Sequence, residues 1–323
     1  MNDIRIAIVG TNFISDRLAE AAALVEGVEM FAVYSRKLDT GAAFAAKHGI
    51  KTVFTDYSEM LKCPDVDAVY VASPTFLHRD HTVLALEAGK HVLCEKSISV
   101  TAGEFFDMKS ACLKSGKVLL EAMRPAHDPI YDILRAELSK LGKVKSATLE
   151  FKKYSSRYDN FKRGIIENAF NPGLKNSALS DIGVYPMWLA ISLFGAPSSV
   201  SSVSKRLHNG FDAEGTVTLS YPDFDCHVLY SKIADGSSAS VVCCEKGQIS
   251  VDKVSEPTVL TITDENGTKT VKHPTPCNNN MVFELASFRD MILGRIDFLP
   301  FLDTTEKLIK AMDSAVLNTT LIE

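Results

Sequence analysis

Six short apolar runs alternate with five helical stretches through the first 125 residues. The run Ile4–Val9 leads into a helical pattern over 13–25. Strand patterns follow at 29–34, 51–55, 67–72, 91–94 and 118–121, and helical patterns at 40–48, 57–61, 78–88 and 102–115. An apolar run without polar alternation belongs to a strand buried on both faces. Strands alternating with helices through short turns predict a parallel sheet wrapped by helices, with right-handed crossovers. Beyond residue 125 the pattern changes to runs such as 146–151, 200–206, 215–221 and 225–233, which predict a largely antiparallel sheet with one open face. Two helices close the chain. The first carries the apolar stripe Met281, Leu285, Phe288 and Ile292, and the last starts at a capping-box variant, Asp303 to Glu306. The fold class is therefore α/β: a doubly wound domain over 1–125, then an α+β substrate-binding and dimerisation domain over 126–323, its C-terminal helix free to pack back on the first. A length of 323 residues suits two domains.

Composition narrows the classes of function. With 35 Lys and Arg against 40 Asp and Glu, and no basic run, the chain lacks the electrostatic footprint for nucleic acid or an anionic membrane. The opening MNDIRIAIVG has no cationic n-region, and its apolar run is too short for a signal peptide. The uncharged stretch 182–204 is broken by Gly183, Pro186, Gly195 and Pro197, so it reads as a buried helix and not a membrane span. The seven cysteines form no CxxC pattern. They read as reduced and structural, Cys94 as a buried strand residue, which points to the cytoplasm.

The segment IAIVGTNFISDRLAEAA runs from strand through tight turn to helix. In that setting a glycine turn holds a dinucleotide pyrophosphate against the helix N-terminus, and the whole predicts a Rossmann domain. Gly10 takes the first glycine position, with Asn12 at the second and Ser15 at the third. Asn tolerates positive φ, and Ser is small enough for close packing of helix on strand. Gly10, Thr11, Asn12, Phe13 and Ile14 are thus candidate cofactor residues. The second strand ends in Tyr34, Ser35, Arg36 and Lys37, without the carboxylate an NAD site places against the ribose. Ser35 and Arg36 suit a 2′-phosphate. NADP is preferred, NAD is retained, and a solvated pair of loop cations is the alternative.

Three further segments complete a pattern: Val71 to His78 (VASPTFLH) after the fourth strand, Cys94-Glu95-Lys96-Ser97 after the fifth, and Ser180 to Tyr185 (SDIGVY) beyond the domain boundary. Together with the GTNFIS turn and the YSR strand end, these resemble the Gfo/Idh/MocA oxidoreductase family, in the branch of dimeric dihydrodiol dehydrogenase and glucose–fructose oxidoreductase. The resemblance spans the whole chain. It implies that Ser73, Thr75 and His78 line the nicotinamide side. It implies that Glu95 and Lys96 are the first two residues of a Glu-Lys-Pro motif, with Lys96 in the active site. Ser97 replaces the proline, a change expected to loosen the turn. The family's Asp-x-Gly-x-His motif falls on Asp181, Gly183 and Tyr185, with Tyr in place of His. Lys175, Asn176 and Ser177 stand where many members have paired glycines.

The residues carry a chemistry of their own. Strand ends of a doubly wound sheet face the ligand crevice. Lys96 stands just past such an end, where partial desolvation would lower its pKa toward neutrality. It could then give a proton to an alkoxide formed as hydride reaches a carbonyl, or take one in reverse. Asp181 and Tyr185, four apart, share one face if their segment is helical. Tyr185 would donate or relay the proton, and Asp181 would orient the substrate hydroxyl or Lys96. An N-cap role for Asp181 and core packing for Tyr185 are the alternatives. Tyr154 and Arg157 are candidate substrate contacts. His78 and His81 are three apart but find no further ligands, so no metal is expected.

The expected function is an NAD(P)-dependent oxidoreductase acting on the CH–OH group of a small sugar, polyol or related hydroxy or keto compound. The expected assembly is a homodimer through the open sheet face. Two other readings use the same scaffold: a non-catalytic dinucleotide-binding sensor, and an NAD-dependent glycosidase. Tyr185 and the Ser35-Arg36 strand end weigh against the second.

Overall fold

A computed structural model describes residues 3–236 and 239–322. Its first sheet has six strands, all paired in parallel: β1 (Ile4–Val9), β2 (Val28–Tyr34), β3 (Thr52–Phe54), β4 (Ala68–Val71), β5 (His91–Glu95) and β6 (Leu119–Ala122), in the order β3-β2-β1-β4-β5-β6. The α-helices are α1 (Phe13–Ala22), α2 (Leu38–His48), α3 (Tyr57–Lys62), α4 (His78–Glu87), α5 (Ala102–Ser115), α6 (Ile130–Leu138), α7 (Ser156–Lys162), α8 (Val184–Phe194), α9 (Met281–Ile292) and α10 (Leu299–Leu317). Ile6, Ile8, Ala68, Val69 and Tyr70 are fully buried, which is why the central strands carry no polar alternation. The strand order reverses between β1 and β4, and in such sheets the crevice for a ligand opens beyond the carboxyl ends of these strands.

The chain divides into two compact units: Met1–His127 with Asn278–Asp303, and Asp128–Cys277 with Thr304–Glu323. The sequence places α9 with the second domain, whereas the structure places it in the first unit. Met281, Leu285, Phe288 and Met291 join Leu18, Ala21, Ala22 and Val25 in one core. Ile292, partly buried, packs against the same core beside Met291. α10 starts at Leu299, four residues before the expected Asp303. Asp297 accepts from the Leu299 amide at 3.0 Å, and Glu306 lies inside the helix, paired with Lys310 at 2.6 Å.

The second unit holds a sheet of nine strands: β7 (Val144–Lys152), β8 (Ser199–Arg206), β9 (Asp212–Ser220), β10 (Asp225–Ser231), β11 (Ser240–Cys244), β12 (Gly247–Val251), β13 (Val259–Asp264), β14 (Gly267–Lys272) and β15 (Thr319–Ile322). Their order is β14-β13-β12-β11-β7-β10-β9-β8-β15. Among the described residues, only β7–β10 and β8–β15 run parallel in it. The register puts Ser201, Thr218, His227, Thr148, Val241, Ser250, Thr261 and Thr270 in one row across the sheet. Every residue of that row is half-buried or exposed. The neighbouring row, Ser202, Val217, Val228 and Leu149, is buried. One face of the sheet is therefore covered and the other open.

The uncharged stretch becomes α8, preceded by a π-helical turn over Leu179–Gly183. Its Trp188 packs edge-on against Tyr131 of α6, ring centroids 5.2 Å apart. Among the described residues no helix is long and apolar enough to cross a membrane.

Candidate active site

Gly10 makes the first turn possible. Its φ is +109°, and a Cβ there would lie 2.6 Å from the Ala72 carbonyl oxygen at the end of β4. Asn12 does not use the positive φ that its place in the glycine pattern suggests; its φ of −90° is extended. It acts as the N-cap of α1. Its Oδ1 accepts from the amides of Ile14 and Ser15, each at 3.1 Å, and its Nδ2 donates to the Ala72 oxygen at 2.9 Å. Ser15, fully buried, donates its hydroxyl to the same Oδ1 at 3.2 Å. The amides left at the mouth of the helix for a phosphate are those of Thr11, Asn12 and Phe13. The Phe13 side chain beside them is 72% exposed.

At the end of β2, Ser35 is half-buried and Arg36 and Lys37 are exposed. Among the described residues neither cation has a carboxylate within ion-pairing distance. α2 begins here with no side-chain cap on its N-terminus. Two uncompensated cations beside an uncapped helix end suit a phosphomonoester. These features of the turn and the strand end fit a dinucleotide carrying a 2′-phosphate.

The β4 and β5 ends are tied together from behind. His78, 1% exposed, sets Nε2 at 2.8 Å from the Ser73 oxygen and Nδ1 at 3.1 Å from the Ser97 oxygen. Burial drives its pKa down to about 4, so the ring is neutral and one nitrogen carries the proton. The neutral ring therefore donates to one of these two carbonyls and lies against the other without a hydrogen bond. Ser73 places its hydroxyl 2.9 Å from His81 Nδ1. Thr75 opens a short 3-10 turn over Thr75–Leu77 and is half-buried.

Glu95 is buried. Its Oε1 accepts from Tyr70 and its Oε2 from the Lys96 amide, the latter at 3.1 Å. Burial pushes its carboxyl above the usual range. Lys96 follows, half-buried, and the Lys96–Ser97 peptide is cis. Just after Ser97, the Ile98 amide donates to the buried Glu121 at 3.1 Å. Gly10 to Ile14, Ser35-Arg36, Ser73 to His78 and Glu95-Lys96 all stand at or just beyond carboxyl ends of strands in one sheet.

In the second unit Asp181 sits inside the π-helical turn, so it is not an N-cap. Its Oδ2 lies 2.7 Å from Lys232 Nζ. π-turns within helices mark functional positions more often than chance. The turn is anchored by Asp212, whose Oδ2 accepts from the Leu179 amide at 3.3 Å; burial raises the Asp212 pKa to about 6. Gly183 lets the turn approach β10, since a Cβ there would meet Tyr230 Cγ at 3.1 Å. Tyr185, in the first turn of α8, is 5% exposed and packs on Phe151, ring centroids 5.7 Å apart. Lys175 takes a left-handed φ of 60°, alone among the described non-glycine residues.

Tyr154 and Arg157 are engaged at the surface. Tyr154 donates to Asp159 at 2.6 Å and accepts from Lys162 at 2.8 Å; Arg157 pairs with Glu167 at 3.4 Å. Sequence reasoning missed Tyr70, Glu121, Lys232 and Glu284. Glu284 carried a legible signal: it lies three residues after Met281 and four before Phe288, on the apolar stripe of α9.

Among the described residues no three His, Cys, Asp or Glu side chains gather as a metal site. A cavity of about 830 Å³ opens at the opposite end of the first sheet, lined in part by Arg5, Asp67, Lys90 and His91. It includes none of the residues above, and two of its cations are already engaged. Arg5 pairs with Asp65 and Asp67, and Lys90 Nζ donates to the carbonyls of Cys63 and Val66.

Residues 4–123 match the profile of the family described as "Oxidoreductase family, NAD-binding Rossmann fold" (GFO_IDH_MocA), and residues 136–250 match the GFO/IDH/MocA C-terminal domain. The scyllo-inositol 2-dehydrogenase (NADP(+)) IolU of Bacillus subtilis (strain 168) is 42% identical over 264 residues, covering 82% of this chain and 80% of that protein. The trans-1,2-dihydrobenzene-1,2-diol dehydrogenase of Xenopus laevis is 28% identical, with 96% of each chain covered. The crystal structure of KijD10, a 3-ketoreductase from Actinomadura kijaniata in complex with NADP and TDP-benzene, matches with a TM-score of 0.88 over 99% of both chains. At 20% identity this is a likeness of fold.

Proposed function

The chain belongs to the Gfo/Idh/MocA oxidoreductase family, and from that premise we propose that it is an NADP-dependent dehydrogenase or reductase interconverting the carbinol and carbonyl of a small sugar or polyol. The observation that carries the reading is the gathering of the pyrophosphate turn, the Arg36 strand end and Lys96 along the carboxyl ends of one parallel sheet. The 42% identity to an NADP-dependent scyllo-inositol dehydrogenase supports a polyol as substrate and NADP as cofactor.

The dinucleotide, when bound, supplies the hydride acceptor and donor. The amides of Thr11, Asn12 and Phe13 would hold its pyrophosphate, and Arg36 would pair with the 2′-phosphate. Lys96 takes the hydroxyl proton as the carbinol is oxidised and returns it in reduction. In the second unit, Tyr185 would act in proton transfer through its phenol, and Asp181 would accept a hydrogen bond from a substrate hydroxyl. Tyr154 and Arg157 meet the outer part of the sugar once released from their surface partners.

The assembly we propose is a homodimer joined through the open face of the second sheet, whose central row is made of Ser, Thr and Val side chains with one histidine, His227. The buried thiols Cys94, Cys112 and Cys226, their pKa values all raised by burial, suit a reducing cytoplasmic setting. Calorimetric titration tests the cofactor assignment. NADP(H) is expected to bind more tightly than NAD(H), and failure of both to bind at millimolar concentration would overturn the reading.

A further inference from the structure

Lys232 is a lysine with almost no access to water. It is 5% exposed and follows β10, where its amide donates to the Ala213 oxygen at 2.9 Å. Its Nζ lies 2.7 Å from Asp181 Oδ2 and 3.1 Å from the Ala169 oxygen. Two aromatic faces complete the surroundings, with Nζ 5.0 Å from the Phe170 ring centroid and 5.6 Å from that of Phe211. A buried ammonium needs an anion, because isolated burial of either charge is costly. The pair is asymmetric: the Lys232 side chain is 7% exposed and that of Asp181 is 43% exposed. The lysine thus holds the carboxylate from the protein side, while the Asp181 side chain stays partly exposed to solvent.

We propose that Lys232 is a positioning residue that keeps Asp181 ionised and in one orientation, so that Asp181 acts as a fixed acceptor for a substrate hydroxyl and not as a proton donor. The inference rests on the oxidoreductase reading and deepens it. It assigns the proton traffic to Lys96 and Tyr185 and confines Asp181 to binding. A fixed anion beside the substrate also favours neutral polyols over sugar acids, whose carboxylate it would repel.

The groups around this pair set its pH behaviour. On the π-helical turn and α8 stand Asp181 and Tyr185. β9 contributes Asp212 and Glu214, the latter accepting from Ser231 at 3.0 Å. β10 contributes Tyr230, which donates to Asp212 at 3.2 Å. β7 contributes Glu150 and Lys152, 3.5 Å apart. Lys232 is the cation in direct contact with the Asp181 carboxylate.

The test combines a titration of the intact enzyme with two variants. Carboxyl carbon-13 NMR of the NADP-loaded protein, with the Asp181 signal assigned by its loss in Asp181→Asn, should show Asp181 charged throughout pH 5–8. Titration inside that range would overturn the proposal. Lys232→Met should raise the polyol KM about tenfold or more, with NADP affinity unchanged. It should also move the acid limb of kcat/KM upward by about one pH unit. Lys232→Arg, which keeps the charge, should restore the acid limb. An acid limb unmoved in Lys232→Met, or moved equally in Lys232→Arg, would contradict the assignment. Absence of turnover in the unmodified protein would instead count against the oxidoreductase reading, and the carboxyl titration would still decide the Lys232–Asp181 pairing.

Discussion

The Tyr70 phenol donates a 2.5 Å hydrogen bond to Glu95 Oε1, joining β4 to β5 one residue before Lys96. Both residues are buried, so the carboxylate that receives the Lys96 amide has its other oxygen fixed as well. The lysine's backbone is therefore set from inside the sheet. Tyr70→Phe leaves Glu95 Oε1 without this donor and should cost about 1–3 kcal/mol of stability. It should also lower kcat more than it raises the NADP dissociation constant. Thermal melts and a cofactor titration on one preparation check both; an unchanged kcat would show that the bond does not position Lys96.

Glu284 is a buried acid in the first unit whose two carboxyl oxygens find no hydrogen-bond partner in the protein. Burial, reinforced by the charge of Glu95, raises its pKa well above 4.5. A raised pKa in the folded state means stability that is complete below about 4.5 and is lost as pH rises toward the folded value. Glu284→Gln removes that loss. The Tm difference, variant minus parent, should therefore be more positive at pH 8 than at pH 4.5, by about 2–4 °C for each kcal/mol relieved. A difference independent of pH would mean that Glu284 does not titrate as its burial requires.

Arg36 stands at the end of β2 with no ion-pair partner among the described residues. A charge-assisted bond to a 2′-phosphate is worth about 1.5–3 kcal/mol. Arg36→Ala should weaken NADP binding by about 10- to 100-fold and leave NAD binding within about twofold. Equal weakening of both would place the 2′-phosphate elsewhere.

The open row of the second sheet runs through Thr148, His227 and Val241. Light scattering at micromolar concentration should give twice the chain mass of 35.3 kDa. Thr148→Arg places a charge in the middle of that row and should yield the single-chain mass with the NADP affinity kept. A single-chain mass for the unmodified protein would remove the homodimer from the account.

What the sequence revealed follows from how each element is buried. β1, β4 and β5 are covered on both faces, so they read as continuous apolar runs, and the turn at Gly10 showed through its one indispensable glycine. Asn12 was found for a different reason from the one that applies. It sits directly before the first helical residue, where a side-chain oxygen caps amides, and that position outweighs its place in the glycine pattern. The stripe of α9 specified a buried face without saying which core receives it, because periodicity carries no partner information. Lys232 was out of reach: one lysine after a strand, 51 positions from Asp181, has no spacing that links the two. The π-helical turn was hidden as well, since the Asp181 to Tyr185 pattern also satisfies an ordinary helix.

The most direct test follows absorbance at 340 nm as the enzyme meets NADP and a panel of cyclic and linear polyols, with Lys96→Ala measured in parallel. The account predicts NADPH formation by the unmodified enzyme on at least one neutral polyol. It predicts loss of at least about a thousandfold of that rate in Lys96→Ala, with NADP affinity within about twofold, as for removal of a proton-transfer group that binding does not use. A Lys96→Ala variant that keeps most of its kcat would contradict it.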